Sequence, residues 1–183
     1  HILCILAESV IFEDGLIFKG GTALRKCRSG PRGRFSTDLD FSVNEPELIA
    51  EVFNLVHGRT CHGFRFELKD QNLETGRADL IVFPPFLENS RIASDYLRVA
   101  SKLEISARKM WLDTEHLEIV SSAVHIALNH KLPTLPVVCI TEAVAEKLAR
   151  YSRAPITRDL YDLWWYGKHA QLDESPIRSL WIK

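Results

Sequence analysis

Phe18-Lys19-Gly20-Gly21-Thr22-Ala23-Leu24-Arg25 and, after a basic loop, Arg34-Phe35-Ser36-Thr37-Asp38-Leu39-Asp40-Phe41 are the stretch whose reading decides the fold. Leu16-Ile17-Phe18 reads as the end of a buried strand. Gly20-Gly21 lets the backbone turn sharply and approach a ligand, because glycine tolerates positive φ. Thr22 is placed to cap a helix starting at Ala23, whose first N–H groups would face an anion. Asp38 to Val43 alternates as a strand does, which sends Asp38 and Asp40 to one face and Leu39 and Phe41 to the core. Two carboxylates at that spacing repel unless a cation lies between them. Oxygen donors of this kind suit Mg²⁺ or Mn²⁺, with phosphates completing the shell.

The 183 residues suit one domain, or a compact core with a helical annex. A hydrophobic content of 46% supplies an ordinary core. No run approaches the roughly 18 apolar residues that a membrane span needs. The opening His1-Ile2-Leu3-Cys4 lacks a basic n-region and a cleavage pattern, which argues against a signal peptide. Cys4, Cys27, Cys61 and Cys139 are scattered without C-x-x-C spacing and read as reduced thiols of a cytoplasmic protein, neither a disulfide framework nor a zinc site. His57, His62, His116, His125, His130 and His169 show no ligand spacing and read as surface or packing residues. Net charge is −1, so no global field attracts nucleic acid. Locally, Lys19, Arg25, Lys26, Arg28, Arg32 and Arg34 run from the glycine turn to the acidic strand without an intervening acid, a candidate phosphate-attracting rim.

Further along, the spacing predicts a helix over Ile2 to Ile11, strands over 16–19, 64–68, 78–83 and 101–106, and a helix from Glu45 to about His57. Lys102, Glu104 and Ser106 share one face of their strand, opposite Leu103 and Ile105. Near Pro133 and Pro136 the character changes. Val137 to Ile140 reads as a short extended entry, followed by a helix over Glu142 to Tyr151 with Thr141 as N-cap. A last helix over Arg158 to His169 has Thr157 as its cap. The expected organisation is α/β (α+β): a sheet core over 1–135 flanked by helices, and a helical part over 136–183.

These blocks, with Glu146-Lys147-Leu148 and Arg158-Asp159-Leu160-Tyr161-Asp162-Leu163, resemble the signature of the AbiEii-type nucleotidyltransferase-like toxins. That family lies within the DNA polymerase β-like nucleotidyltransferase superfamily, with the MenT toxins as relatives. The resemblance runs over about residues 15 to 170. It implies a polymerase-β-like sheet and NMP transfer from an NTP, with pyrophosphate released. The C-terminal part would complete the active site. Asp38 and Asp40 would hold the metal. A third acid would come from Glu104, in a lysine–apolar–acid–apolar strand like the family's, or from Asp79; Glu104 has the cleaner alternation. Gly20, Gly21, Thr22 and Ser36 would line the nucleotide. Lys147 would contact a phosphate, and Asp162 would orient Lys147 or accept the nucleophile's proton. The resemblance further implies an RNA acceptor, a tRNA 3′ end foremost, growth arrest as the outcome, and restraint by a cognate antitoxin or by phosphorylation of a site hydroxyl such as Ser36.

On the residues alone, other readings stay open. Glu146 and Arg150 suit an i,i+4 pair on a solvated helix face, and Arg158 suits an intrahelical partner for Asp162. Asp159 fits a structural acid at a helix start. Trp164, Trp165 and Tyr166 read as packing. The same scaffold suits nucleotidylation of a protein or small molecule, and a silent nucleotide-binding module is the rival from another class.

Overall fold

The computed structural model describes residues 1–85, 98–127 and 131–181. Eight strands form one mixed sheet: β1 (Ile17–Lys19), β2 (Leu39–Val43), β3 (Thr60–Cys61), β4 (Phe64–Asn72), β5 (Arg77–Phe83), β6 (Val99–Ala107), β7 (Glu115–Glu118) and β8 (Thr134–Val137). Their order is β3-β4-β5-β6-β2-β1-β8-β7. Two neighbouring pairs, β2–β6 and β1–β8, are parallel, and the others are antiparallel. The parallel pairs join segments far apart in the chain, and one of them carries the site.

Alternation along the strands divides the apolar side chains between the two faces. Phe18, Phe41, Val43, Leu103 and Ile105 pack with the helices α1 (Ile2–Ala7) and α3 (Leu48–Val56). Ile17 and Val138 join a second cluster with α5 (Ile140–Arg153), α6 (Thr157–His169) and α7 (Glu174–Trp181). Two short helices, α2 (Gly20–Leu24) and α4 (Ala123–Ala127), complete the set. Among the described residues no helix is long and apolar enough to cross a membrane.

Several expectations need correction. The first helix stops at Ala7, because the Ser9 hydroxyl donates to Leu6 O and then accepts from Ile11 N, diverting the backbone into turns. Thr22 caps nothing: α2 starts at Gly20, lasts five residues and runs into a π-helical turn over Arg25–Ser29. Thr141 and Thr157 likewise lie inside α5 and α6, whose N-cap residues are Cys139 and Ile156. The helix expected from Glu45 begins at Leu48, with Pro46 in the preceding turn. The edge strands β3 and β7, with α4 and α7, are too short or too weakly patterned to read from sequence. Residues 135 and 136 both lie within β8, a strand of the sheet itself. Of the packing aromatics, Tyr166 is buried and Trp165 partly so, whereas Trp164 is 52% exposed. His130 lies outside the described residues.

Candidate active site

A cleft of about 240 Å³ opens where β1, β2 and β6 meet α5. Asp40 and Glu104 line it from adjacent parallel strands, in direct register. Facing them are Lys147 and Arg150 of α5, with Lys19 and Gly20 at the end of β1. Gly20 has φ +78°, and a Cβ there would lie 2.0 Å from Asp40 Oδ2. A Cβ on Gly21 would lie 2.2 Å from Arg34 Nη2. The glycine pair therefore makes room for a carboxylate and a guanidinium, a role its turn propensity alone does not reveal.

Thr22 is 3% exposed. Its hydroxyl donates to Asp38 O and lies 2.9 Å from Ser36 Oγ, so these two residues tie the start of β2 to α2. Asp38 stands just before β2, its Oδ2 3.9 Å from Arg158 Nη1. It is not part of the cleft wall. Asp79, on β5, is exposed, pairs in register with Lys102 and is likewise absent from the cleft.

Behind the cleft lies a buried ion network. Lys147, 6% exposed, places Nζ 2.7 Å from Asp162 Oδ2 and 3.5 Å from Asp159 Oδ1. Both carboxylates are fully buried. Arg34 reaches Asp162 through Nε and Nη2, each at 2.7 Å, and Arg150 grips Asp159 in the same two-pronged way. Bidentate geometry of this kind adds direction as well as charge. Within this network three cations, Arg34, Lys147 and Arg150, meet two acids, and of these cations Lys147 and Arg150 line the cleft beside Glu146.

The expected surface pairings are therefore wrong. Arg150 pairs with Asp159, Glu146 pairs with Lys19 and Arg108, and Arg158 approaches Asp38 instead of Asp162. The basic rim is also largely consumed within the fold: Arg28 bonds Glu115 and Val138 O, Arg34 holds Asp162, and Arg25 lies over the Phe35 ring while donating to Arg34 O. Besides Arg77, whose Nε lies 3.6 Å from Glu104 Oε1, sequence reasoning missed Arg150 in the cleft. Its signal lay in Lys147-x-x-Arg150, spacing that puts both cations on one helix face.

The electrostatics follow this layout. Burial raises the pKa of Asp40, with Glu104 and Asp38 adding repulsion and Lys19 and Arg150 opposing it. Burial also disfavours ionised Asp159, but the hydrogen bonds from Arg150 and the charge of Lys147 outweigh it and hold this carboxyl below its ordinary range. A carboxylate pushed towards neutrality by burial, with acidic neighbours adding to it, marks a place where a cation would be accepted. The donors at Asp40 and Glu104 are hard oxygens, which fit Mg²⁺ or Mn²⁺. Asp38 adds its charge next to Asp40 from just before β2, with its Oδ2 3.9 Å from Arg158 Nη1.

The model of one protein family, nucleotidyl transferase AbiEii toxin of type IV toxin–antitoxin systems, matches residues 1–182. No curated protein matches the chain. Among solved structures, the chain is similar to MenT4, a nucleotidyltransferase toxin from Mycobacterium tuberculosis H37Rv, with 40% identity and a TM-score of 0.88. The similarity covers 100% of this chain and 60% of that one. JHP933 from Helicobacter pylori is 20% identical, with a TM-score of 0.56 over 92% of this chain and 62% of its own, a likeness of fold. The chain thus spans about three-fifths of the length of these relatives.

Proposed function

Because the chain belongs to the AbiEii nucleotidyltransferase toxin family, we propose that it transfers a nucleoside monophosphate from an NTP to an RNA acceptor, a tRNA 3′ end foremost, and so arrests growth until an antitoxin restrains it. The observation that carries this reading is the opposition of Asp40 and Glu104 to Lys147 and Arg150 across one cleft. Phosphoryl transfer needs little covalent chemistry from the protein; it needs charge and positioning. Asp40 and Glu104, joined by Asp38, would hold Mg²⁺ or Mn²⁺, and the bound ion neutralises charge on the phosphates.

The chain's own residues do the remaining work. Gly20 lets the backbone come close to the triphosphate while leaving space for the Asp40 carboxylate. Thr22 and Ser36 anchor the segment that carries Asp38. Lys147 and Arg150 face the phosphates and balance the charge that grows on the leaving pyrophosphate. Asp162 acts as a positioning residue, gripped by Arg34 and fixing the Lys147 ammonium behind the cleft wall. The C-terminal part over 136–183 completes the site, since Lys147, Arg150, Asp159 and Asp162 all lie there.

Incubation with each labelled NTP, Mg²⁺ and total tRNA tests the reading. Label on RNA that disappears in Asp40→Asn supports it. Label on protein would transfer the chemistry to a different acceptor, and binding without transfer would refute an enzymatic role.

A further inference from the structure

Outside the cleft, a second constellation lies at the far edge of the sheet. His1, Cys61 and His62 bring one ligand atom each to within 4.8 Å of one another, the trio of this kind among the described residues. Cys61 closes β3, the outermost strand, and pairs with Phe64 of β4. Between them His62-Gly63 forms a two-residue turn with φ of 51° and 78°. Two positive φ values in succession suit the tight hairpin turns that match the twist of the strands. Glycine adopts that conformation without cost, and histidine is among the few other residues enriched there.

The turn folds His62 back over its own strand. Its Nδ1 lies 3.1 Å from Cys61 Sγ and 3.0 Å from Nδ1 of His1. His1 is held from another side, its ring stacked on Phe64 with centroids 4.6 Å apart and planes at 22°. The three donors thus come from two segments about 60 positions apart and meet at one point. Sequence spacing alone cannot show this, and the reading of Cys61 as an unligated thiol rested on spacing.

We propose that His1, Cys61 and His62 form a Zn²⁺ site that clips the start of α1 to the β3–β4 hairpin. Two imidazoles and a thiolate are a borderline-soft set that suits Zn²⁺ and not Mg²⁺. Tetrahedral bonds of about 2.05 Å to nitrogen and 2.3 Å to sulfur place neighbouring donors about 3.3 to 3.6 Å apart. The observed 3.0 and 3.1 Å from His62 need a few tenths of an ångström of expansion, and the remaining pair, Cys61 Sγ and the His1 ring nitrogen, lies within 4.8 Å and closes in on the ion as it binds. His1 and His62 are exposed and Cys61 is half-buried, so an ion reaches the trio from solvent. Binding releases the thiol proton to solvent, and no electron moves. The site stands apart from the catalytic carboxylates: β3 is four strands from β2, about 19 Å at ordinary strand spacing. Its role is structural and independent of the transfer chemistry.

Metal-free chain titrated with Co²⁺ and then Zn²⁺ tests the assignment. The expected result is one equivalent of Co²⁺ with a thiolate-to-metal charge-transfer band and tetrahedral visible bands, displaced by Zn²⁺. Zn²⁺ should also raise Tm. Loss of even an outer-shell partner weakens metal binding about 10–100-fold, so Cys61→Ser and His62→Asn should each weaken it at least that much. His62→Asn keeps a residue that tolerates positive φ, which separates loss of the ligand from loss of the turn. Asp40→Asn should leave the band unchanged. Undiminished affinity in Cys61→Ser, a spectrum without the thiolate band, or binding abolished by Asp40→Asn would overturn the proposal.

Discussion

Lys147→Met removes the central charge of the buried network while keeping the length of the side chain. The ammonium sits 2.7 Å from Asp162 and 3.5 Å from Asp159, both carboxylates fully buried. Deleting one partner of a buried ion pair costs about 3–5 kcal/mol, because the remaining charge is stranded. Here neither acid is left alone, since Asp162 keeps Arg34 and Asp159 keeps Arg150. The expected loss is therefore at the lower end, about 3 kcal/mol. For a chain of this size that lowers Tm by about 6–12 °C. Urea unfolding in metal-free buffer reads the loss as a shift of the midpoint at unchanged slope. Combining Lys147→Met with Asp162→Asn removes one charge of each sign, so the double variant should lose less than the sum of the singles, by about 0.5–3 kcal/mol. A loss below about 0.5 kcal/mol for Lys147→Met, the level of an ordinary surface change, would refute the buried network. Lys147 would then be a solvated helix residue.

Three further predictions concern the cleft. Gly20→Ala places a Cβ 2.0 Å from Asp40 Oδ2 at φ +78°, and should cost about 1–3 kcal/mol while abolishing transfer; wild-type transfer rates would show that Asp40 need not sit where it does. Asp40 has a raised pKa in the folded state, so its ionisation costs stability, a penalty absent at low pH and complete above the folded pKa. Asp40→Asn in metal-free buffer should therefore match wild type at acidic pH and become the more stable protein as pH rises through the carboxylate range; parallel stability–pH curves would contradict this. Glu104→Gln should lose transfer and Asp79→Asn should keep it, measured side by side with labelled NTP, and the reverse ranking would move the third acid to β5.

What the sequence disclosed was local. The period-two pattern of Asp38 to Val43 and of Ser101 to Ser106 placed two strands correctly, since alternation depends on neighbours alone. It also gave the glycine turn and the long C-terminal helices. The pairing of Asp40 with Glu104 was beyond it, because the register between β2 and β6 joins residues 64 positions apart and is set by the packed sheet. Ion-pair partners failed for the same reason: i,i+4 spacing offered Glu146–Arg150 and Arg158–Asp162, but burial of Asp159 and Asp162 drew in cations from α5 and from the loop before β2. The cap expected at Thr22 failed because its hydroxyl bonds Asp38 O, and those at Thr141 and Thr157 because α5 and α6 begin at or before these residues.

The parallel pairing of β2 with β6 also dictates when the cleft comes into being. Contacts between distant segments form late, since the entropy of closing the intervening loop must be met first. Asp40 gains Glu104 only when the sheet's two halves join, and both gain Lys147 and Arg150 only when α5 docks. During synthesis the acids leave the ribosome well before the cations that face them. On the proposed function, a nascent chain then holds the acids of the cleft before the α5 cations that complete it, which predicts no transfer until α5 has docked.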